Sequence, residues 1–210
     1  LITRSREQAG ELVELLEKLG AETIEAPCIR IEPPNDLDPL QEVCKDINTL
    51  DWIVFTSING VENFMQCLLD GTSDVRVLHG VQLCAVGPTT AKRLAHYGLE
   101  ADLVPSDHHS EGVAEALRST TNLSGKRILL PRSEIASKRL PHELEKSGAK
   151  VIDIAAYRTV SETDLGKTGG HDVYRMLLNK SIDVVTFTSA STVQNFVKSL
   201  GSEQASDLLA

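Results

Sequence analysis

Asp51-Trp-Ile-Val-Phe-Thr-Ser57 returns 132 residues later as Asp183-Val-Val-Thr-Phe-Thr-Ser189. The correspondence continues through Val61/Val193, Asn63/Asn195 and Phe64/Phe196. A shift of 128 lays residues 1–30 on 129–158 and matches Leu1, Arg4, Ser5, Leu12, Leu16, Gly20, Ala21, Ile24 and Arg30 with identical residues. Two near-equal offsets in the same order mark a duplicated unit of about 130 residues.

Each copy reads as strand–helix–strand followed by strand–helix. Leu1–Thr3 is a short apolar strand. Ser5 and Gln8 have the spacing of a capping box, and Leu12, Leu15, Leu16 and Leu19 form one apolar stripe. Gly20 ends that helix, and Thr23–Ile31 returns as a strand. Trp52–Thr56 is a continuous apolar run of the kind buried on both faces of a parallel sheet. Asn59-x-x-Glu62 and its counterpart Ser191-x-x-Gln194 are further capping-box spacings, opening helices that run to about Leu69 and Leu200. A strand at Gln82–Val86, a helix at Thr89–Tyr97 and another from Ser110 to about Arg118 occur only in the first copy. On the 132-residue offset the second copy of Val81–Val86 falls near position 213, so the expectation is that the second unit lacks its last ~40 residues. Alternating strands and helices imply an α/β fold with parallel sheets and right-handed crossovers. Two such units give two lobes with a cleft between them.

The 210 residues are 41% apolar and 24% charged, ordinary for a globular protein and wrong for a disordered or fibrous one. No apolar run approaches the ~20 residues of a membrane span. The first residues, Leu-Ile-Thr-Arg, lie inside a strand-like run and resemble no signal segment. Cys28, Cys44, Cys67 and Cys84 show no C-x-x-C spacing and read as reduced core residues. A net charge of −9 speaks against a nucleic-acid partner. Residues 34–80 carry two basic and eight acidic side chains, whereas 126–160 carry eight basic and four acidic. That basic stretch is either a solvated helix face or an attractor for an anionic ligand.

Ligands of open α/β sheets bind beyond the carboxyl ends of the strands. Those ends here are Arg4-Ser5, Thr56-Ser57, Gly87-Pro88-Thr89-Thr90, Arg132-Ser133 and Thr188-Ser189. Each precedes a helix N-terminus, where free backbone N–H groups and the positive dipole end favour anions. Ser and Thr are also ordinary N-caps, and duplication copies caps as faithfully as sites. There is no G-x-x-x-x-G-K-[ST], no G-x-G-x-x-G after a strand and no G-x-S-x-G elbow. His108-His109 is the only histidine cluster and reads as a solvated loop, with nothing nearby to complete a metal set. Tyr157 closes the apolar run Val151–Ala156 and precedes Arg158. A phenol can donate a proton to a departing hydroxyl, and a tyrosine at a lobe junction can equally serve packing.

Taken together, Leu1-Ile-Thr-Arg-Ser5, Val54-Phe-Thr-Ser-Ile-Asn-Gly60, Cys84-Ala-Val-Gly-Pro-Thr-Thr-Ala91, Ser110-Glu-Gly112, Gly125-Lys-Arg-Ile-Leu129, Ala156-Tyr-Arg-Thr159 and Thr186-Phe-Thr-Ser189 resemble the uroporphyrinogen-III synthase family in the family's order. The resemblance implies two parallel-sheet lobes, flavodoxin- or Rossmann-like, joined by a two-stranded linker. Lobe one is then residues 1–32 with 162–210, and lobe two is 36–158. The repeat alone would place a simple boundary near residue 125.

The resemblance implies cyclisation of hydroxymethylbilane with inversion of ring D and loss of water, through a spiro intermediate, with no metal and no cofactor. The implied partner is a flexible linear tetrapyrrole polycarboxylate, bound by a monomer in the cytoplasm or, in a plant, the plastid stroma, with no nucleic acid and no membrane. Tyr157 matches the family's cleft tyrosine and is the candidate acid. Ser57, Thr90 and Ser189 match hydroxyl positions, and Asn59, Gly60, Gly87, Pro88 and Thr89 lie beside them. Arg4, Arg132 and Arg158 are added on electrostatic grounds. The competing readings are a non-catalytic two-lobed anion-binding module, or a domain of a larger tetrapyrrole enzyme, and a secreted solute-binding protein.

Overall fold

The computed structural model describes residues 1–71, 74–162, 171–201 and 205. The chain divides into two compact units, Leu1–Glu32 with Thr159–Ala210, and Pro33–Arg158.

In the second of these, β2 (Trp52–Phe55), β3 (Gln82–Ala85), β4 (Arg127–Ser133) and β5 (Lys150–Ser161, whose last three residues pass into the first unit) are parallel, in the order β5-β4-β2-β3, whereas β1 (Ile29–Glu32) belongs to the first unit. All four residues of β2 are buried, because helices cover both faces of the sheet. Trp52 and Val54 pack with Val113 and Leu117 of α5 (Ser110–Thr120) and with Leu140 and Leu144 of α6 (Arg139–Lys146). On the other face Phe55 meets Phe64 of α3 (Ile58–Gly71) edge-on, with ring centroids 5.4 Å apart. The unit also holds α2 (Asp38–Lys45), which starts at the helix-initiating pair Asp38-Pro39, and α4 (Pro88–His96).

The first unit repeats this plan on a smaller scale. Leu1–Thr3 lies between residues 24–26 and 184–186, through Ala26 N–H to Ile2 O at 2.8 Å and Thr186 N–H to Leu1 O at 2.9 Å. Its parallel bridges, Ile2↔Glu25 and Ile2↔Thr186, occupy the register of Leu130↔Asp153 and of the β4–β2 pairing. Phe187 and Phe196 of α8 (Ala190–Leu200) repeat the edge-on pair with centroids 5.3 Å apart. The duplication read from the sequence is therefore also a duplication of register and core. This unit also holds α1 (Arg6–Lys18) and α7 (Val173–Leu178).

Several expectations are corrected. Thr23–Ile31 is not one strand: only a bridge at Glu25 and then β1 form. Pro27 stands between them, and a residue without an N–H interrupts a ladder. The helix caps also move. Ser57 and Ser189, not Asn59 and Ser191, are the capping residues of α3 and α8, two positions earlier in both copies. Ser5 does precede α1, but its hydroxyl makes no cap bond. The four cysteines are free thiols as expected, and burial pushes Cys28, Cys44 and Cys84 up to about 12.

Arg132, at the end of β4, is 4% exposed. Its Nε and Nη2 donate to the two oxygens of Asp153 at 2.8 and 2.9 Å, and its Nη1 donates to the Ser137 carbonyl at 2.8 Å. Lys138 Nζ donates to Asp153 at 2.7 Å. Burial alone would push the Asp153 carboxyl up, but the bonds from Arg132 and Lys138 outweigh it and hold the carboxyl below its ordinary value. A carboxyl depressed by folding contributes stability above its unfolded value and loses that contribution as the pH falls through the folded one. Asp153→Asn is expected to destabilise the protein by roughly 3 kcal/mol at neutral pH, because it leaves a buried guanidinium without its counter-charge. Urea denaturation at pH 7 and at pH 3 checks this: the gap between the variant and the parent should narrow on the acid side.

Candidate functional site

The carboxyl ends of β2 and β5 meet in one hydrogen bond. Ser57 follows β2, and its Oγ lies 3.1 Å from the phenol oxygen of Tyr157 on β5. The same Oγ accepts from the Gly60 N–H at 3.1 Å. One lone pair of the serine is thereby fixed by the first turn of α3, and either hydroxyl can donate in the contact with the phenol. Tyr157 is 8% exposed, and its carbonyl accepts from the Glu134 N–H, next to a break in the β4–β5 register at Arg132/Ser133.

Gly60 makes this approach possible. A Cβ there would stand 2.6 Å from the backbone oxygen of Pro131 on β4, closer than a side chain tolerates. The first turn of α3 thus presses against the strand lying between β2 and β5, and Ser57 comes within reach of Tyr157.

Beyond β3 the turn Gly87-Pro88-Thr89-Thr90 opens α4. Gly87 has φ +94°, a conformation that favours glycine, and Pro88 supplies the helical φ at the first position. Pro88 and Thr89 are exposed. Thr90 is buried, and its hydroxyl donates back to the Val86 carbonyl at 3.2 Å, so its proton is held inside the fold. Asn59 is half-buried in the first turn of α3, and its carbonyl accepts from Asn63 Nδ2 at 2.9 Å. Arg158 follows Tyr157 on β5 and is half-buried. Arg132 is buried and its charge is neutralised by Asp153, which makes it a brace of the fold.

Ser189 and Arg4 belong to the other unit. Ser189 is exposed and engaged in a reciprocal capping box with Thr192. Arg4 reaches Gln8 Oε1 at 3.4 Å.

One neighbour was not legible as a candidate in the sequence. The His108 ring lies about 3.5 Å from where a Gly87 Cβ would stand. Its loop returns to the end of β3 because Leu103 bridges Cys84 in parallel, with Ala85 N–H donating to Leu103 O at 3.0 Å. A single short bridge has no periodicity to announce it. Among the described residues no group of three His, Cys, Asp or Glu side chains could hold a metal ion.

A family model described as uroporphyrinogen-III synthase HemD matches residues 10–210. The chain belongs to the uroporphyrinogen-III synthase family. A relative from Methanothermobacter thermautotrophicus is 34% identical over 97% of this chain and 78% of its own length. The uroporphyrinogen-III synthase of Synechococcus elongatus is 30% identical over 99% of this chain and 76% of its own. A crystal structure of the Thermus thermophilus uroporphyrinogen III synthase superposes with a TM-score of 0.61 at 18% identity, covering 95% of this chain and 77% of that one, which shows a shared fold. Membership of the uroporphyrinogen-III synthase family gives the Ser57–Tyr157 contact a chemical context that hydrogen-bond geometry alone lacks.

Gly60→Ala is expected to break this arrangement, forcing α3 off β4 at a cost of about 1–3 kcal/mol. Thermal unfolding should show the loss, and a crystal structure of the variant should show Ser57 Oγ displaced from Tyr157.

Proposed function

We propose that this chain closes hydroxymethylbilane to uroporphyrinogen III, with Tyr157 as the acid and Ser57 as its support. Family membership makes it a lyase of porphyrin and heme biosynthesis. What this reading adds is the assignment of the chemistry to residues, and the observation that carries it is the 3.1 Å contact between Ser57 Oγ and the Tyr157 phenol.

Loss of the terminal hydroxyl needs a proton, because hydroxide is a poor leaving group and water a good one. In this proposal the Tyr157 phenol supplies that proton, leaving a phenolate and an electrophilic azafulvene on ring A. Ser57 then turns its O–H toward the phenolate, while the Gly60 N–H holds the serine oxygen in place. Ring D attacks through its substituted carbon, the spiro intermediate opens, and the ring recloses inverted. The carbon that finally rearomatises releases the proton that restores the phenol, so the net loss is one water.

Holding a flexible polyacid in one conformation is the other contribution, an orientation effect. The first-turn amides of α3 and α4, with Asn59, Gly87, Pro88 and Thr89 around them, are the proposed donors and walls; Ser189 plays that part in the other unit, and Arg158 adds positive charge. This reading invokes no metal or cofactor. It includes the two-lobed arrangement with a two-stranded linker, and a monomer in the cytoplasm or plastid stroma. No helix among the described residues is long and apolar enough to cross a membrane.

Tyr157→Phe keeps the ring and removes the proton, so the rate of cyclisation should fall by about 10²-fold with little change in thermal stability. Isomer analysis of the product from hydroxymethylbilane is the check. Parental turnover by the variant would remove Tyr157 from the chemistry, and a parent protein yielding only the uninverted isomer would mark a binder with no catalytic role.

A further inference from the structure

The duplication supplies an internal control for one arginine. Arg4-Ser5 and Arg132-Ser133 are the same dipeptide at the same strand end, 128 residues apart. In the second copy the arginine is neutralised by Asp153 across the Leu130↔Asp153 register. In the first copy that register position is Glu25, paired with Ile2. Glu25 is exposed and forms no ion pair with Arg4 among the described residues. Among the described residues, half-buried Arg4 makes one bond, the long contact to Gln8, and its sequestered Nε has no hydrogen-bond partner.

Ser5 adds a second observation. It stands at the N-cap of the 13-residue helix α1, is 1% exposed, and its Oγ has no hydrogen-bond partner. The Gln8 amide is taken by the Ser5 carbonyl at 3.0 Å, whereas the first two amides of α1 have no intrahelical acceptor. A guanidinium without a carboxylate, a buried hydroxyl without a partner and an uncapped helix N-terminus converge within consecutive residues. Burying such donors unpaired is costly, and a bound anion answers all three.

We infer that Arg4, Ser5 and the first turn of α1 form a carboxylate subsite that takes one acidic side chain of the substrate. The inference rests on the polycarboxylate substrate of the proposed function. It differs from the hydroxyl site of Ser57 and Tyr157 in using a full positive charge. It also explains why the arginine of this dipeptide has two fates, while the serine hydroxyl is buried without a partner in both copies: Asp153 supplies the carboxylate internally in one copy, and the ligand supplies it in the other.

The test compares Arg4→Gln, Arg4→Lys, Ser5→Ala and Arg132→Gln in the full chain, reading thermal stability, KM for hydroxymethylbilane, product isomer and the Kd of uroporphyrin, an octacarboxylate probe, by fluorescence quenching. Arg4→Gln should weaken uroporphyrin binding and raise KM by about 10–100-fold without lowering Tm, and Arg4→Lys should recover part of the loss. Ser5→Ala should hold or raise Tm while weakening binding, the opposite of what loss of a working cap does. Arg132→Gln should lower Tm. Unchanged binding and KM in Arg4→Gln, or a Tm loss as large as that of Arg132→Gln, overturns the subsite. The parent's isomer outcome is scored separately: inverted product with unchanged binding rejects the subsite alone, and uninverted product alone rejects the catalytic reading whatever Arg4 does.

Discussion

In the Pro33–Arg158 unit the hydroxyl pair depends on the close approach of Gly60 to the backbone carbonyl of Pro131. A helix following a parallel strand normally stands off the sheet by the width of its side chains. Here the first turn of α3 settles onto backbone, and the absent side chain sets the height of Ser57 over the strand ends. The hydroxyl pair depends on that height, because Ser57 and Tyr157 sit on strands separated by β4 and could not otherwise meet. The Tyr157 phenol, the Ser57 hydroxyl and the first-turn amides of α3 are thus arranged by one packing distance.

The architecture was largely legible because it is written twice. The two offsets located both copies, and the structure reproduces them in register at Ile2↔Glu25 and Leu130↔Asp153 and in the two edge-on phenylalanine pairs. What escaped was local. Helix starts were placed two residues late at Asn59 and Ser191, because a capping-box spacing fits several offsets and only the backbone angles choose among them. Pro27 interrupts what reads as one apolar run, and α2 opens at Asp38-Pro39 with no long apolar period to announce it.

The candidate site divides along similar lines. The resemblance named Ser57, Gly60 and Tyr157, but the direct contacts that join them were not foreseen, and spacing could not have produced them, being 100 residues apart at their widest hydrogen bond. Arg132 shows the limit of charge counting. A basic stretch was visible, but the pairing of its central arginine with Asp153, 21 residues on, depends on strand register. His108 is the converse case, a residue dismissed as loop that a single bridge carries to Gly87.

The unit built from Leu1–Glu32 and Thr159–Ala210 is discontinuous in the chain, and its first strand is pinned by Leu1, whose backbone nitrogen donates to the Val184 carbonyl at 2.7 Å. On the ribosome those opening residues emerge long before their partners exist. At about 5–20 residues per second they wait on the order of ten to forty seconds. The intervening Pro33–Arg158 unit has its own sheet and its own apolar core, and can fold in that interval. Nascent Leu1–Thr3 meanwhile has no strand at 184–186 to pair with, so this unit is completed only after the one its sequence encloses.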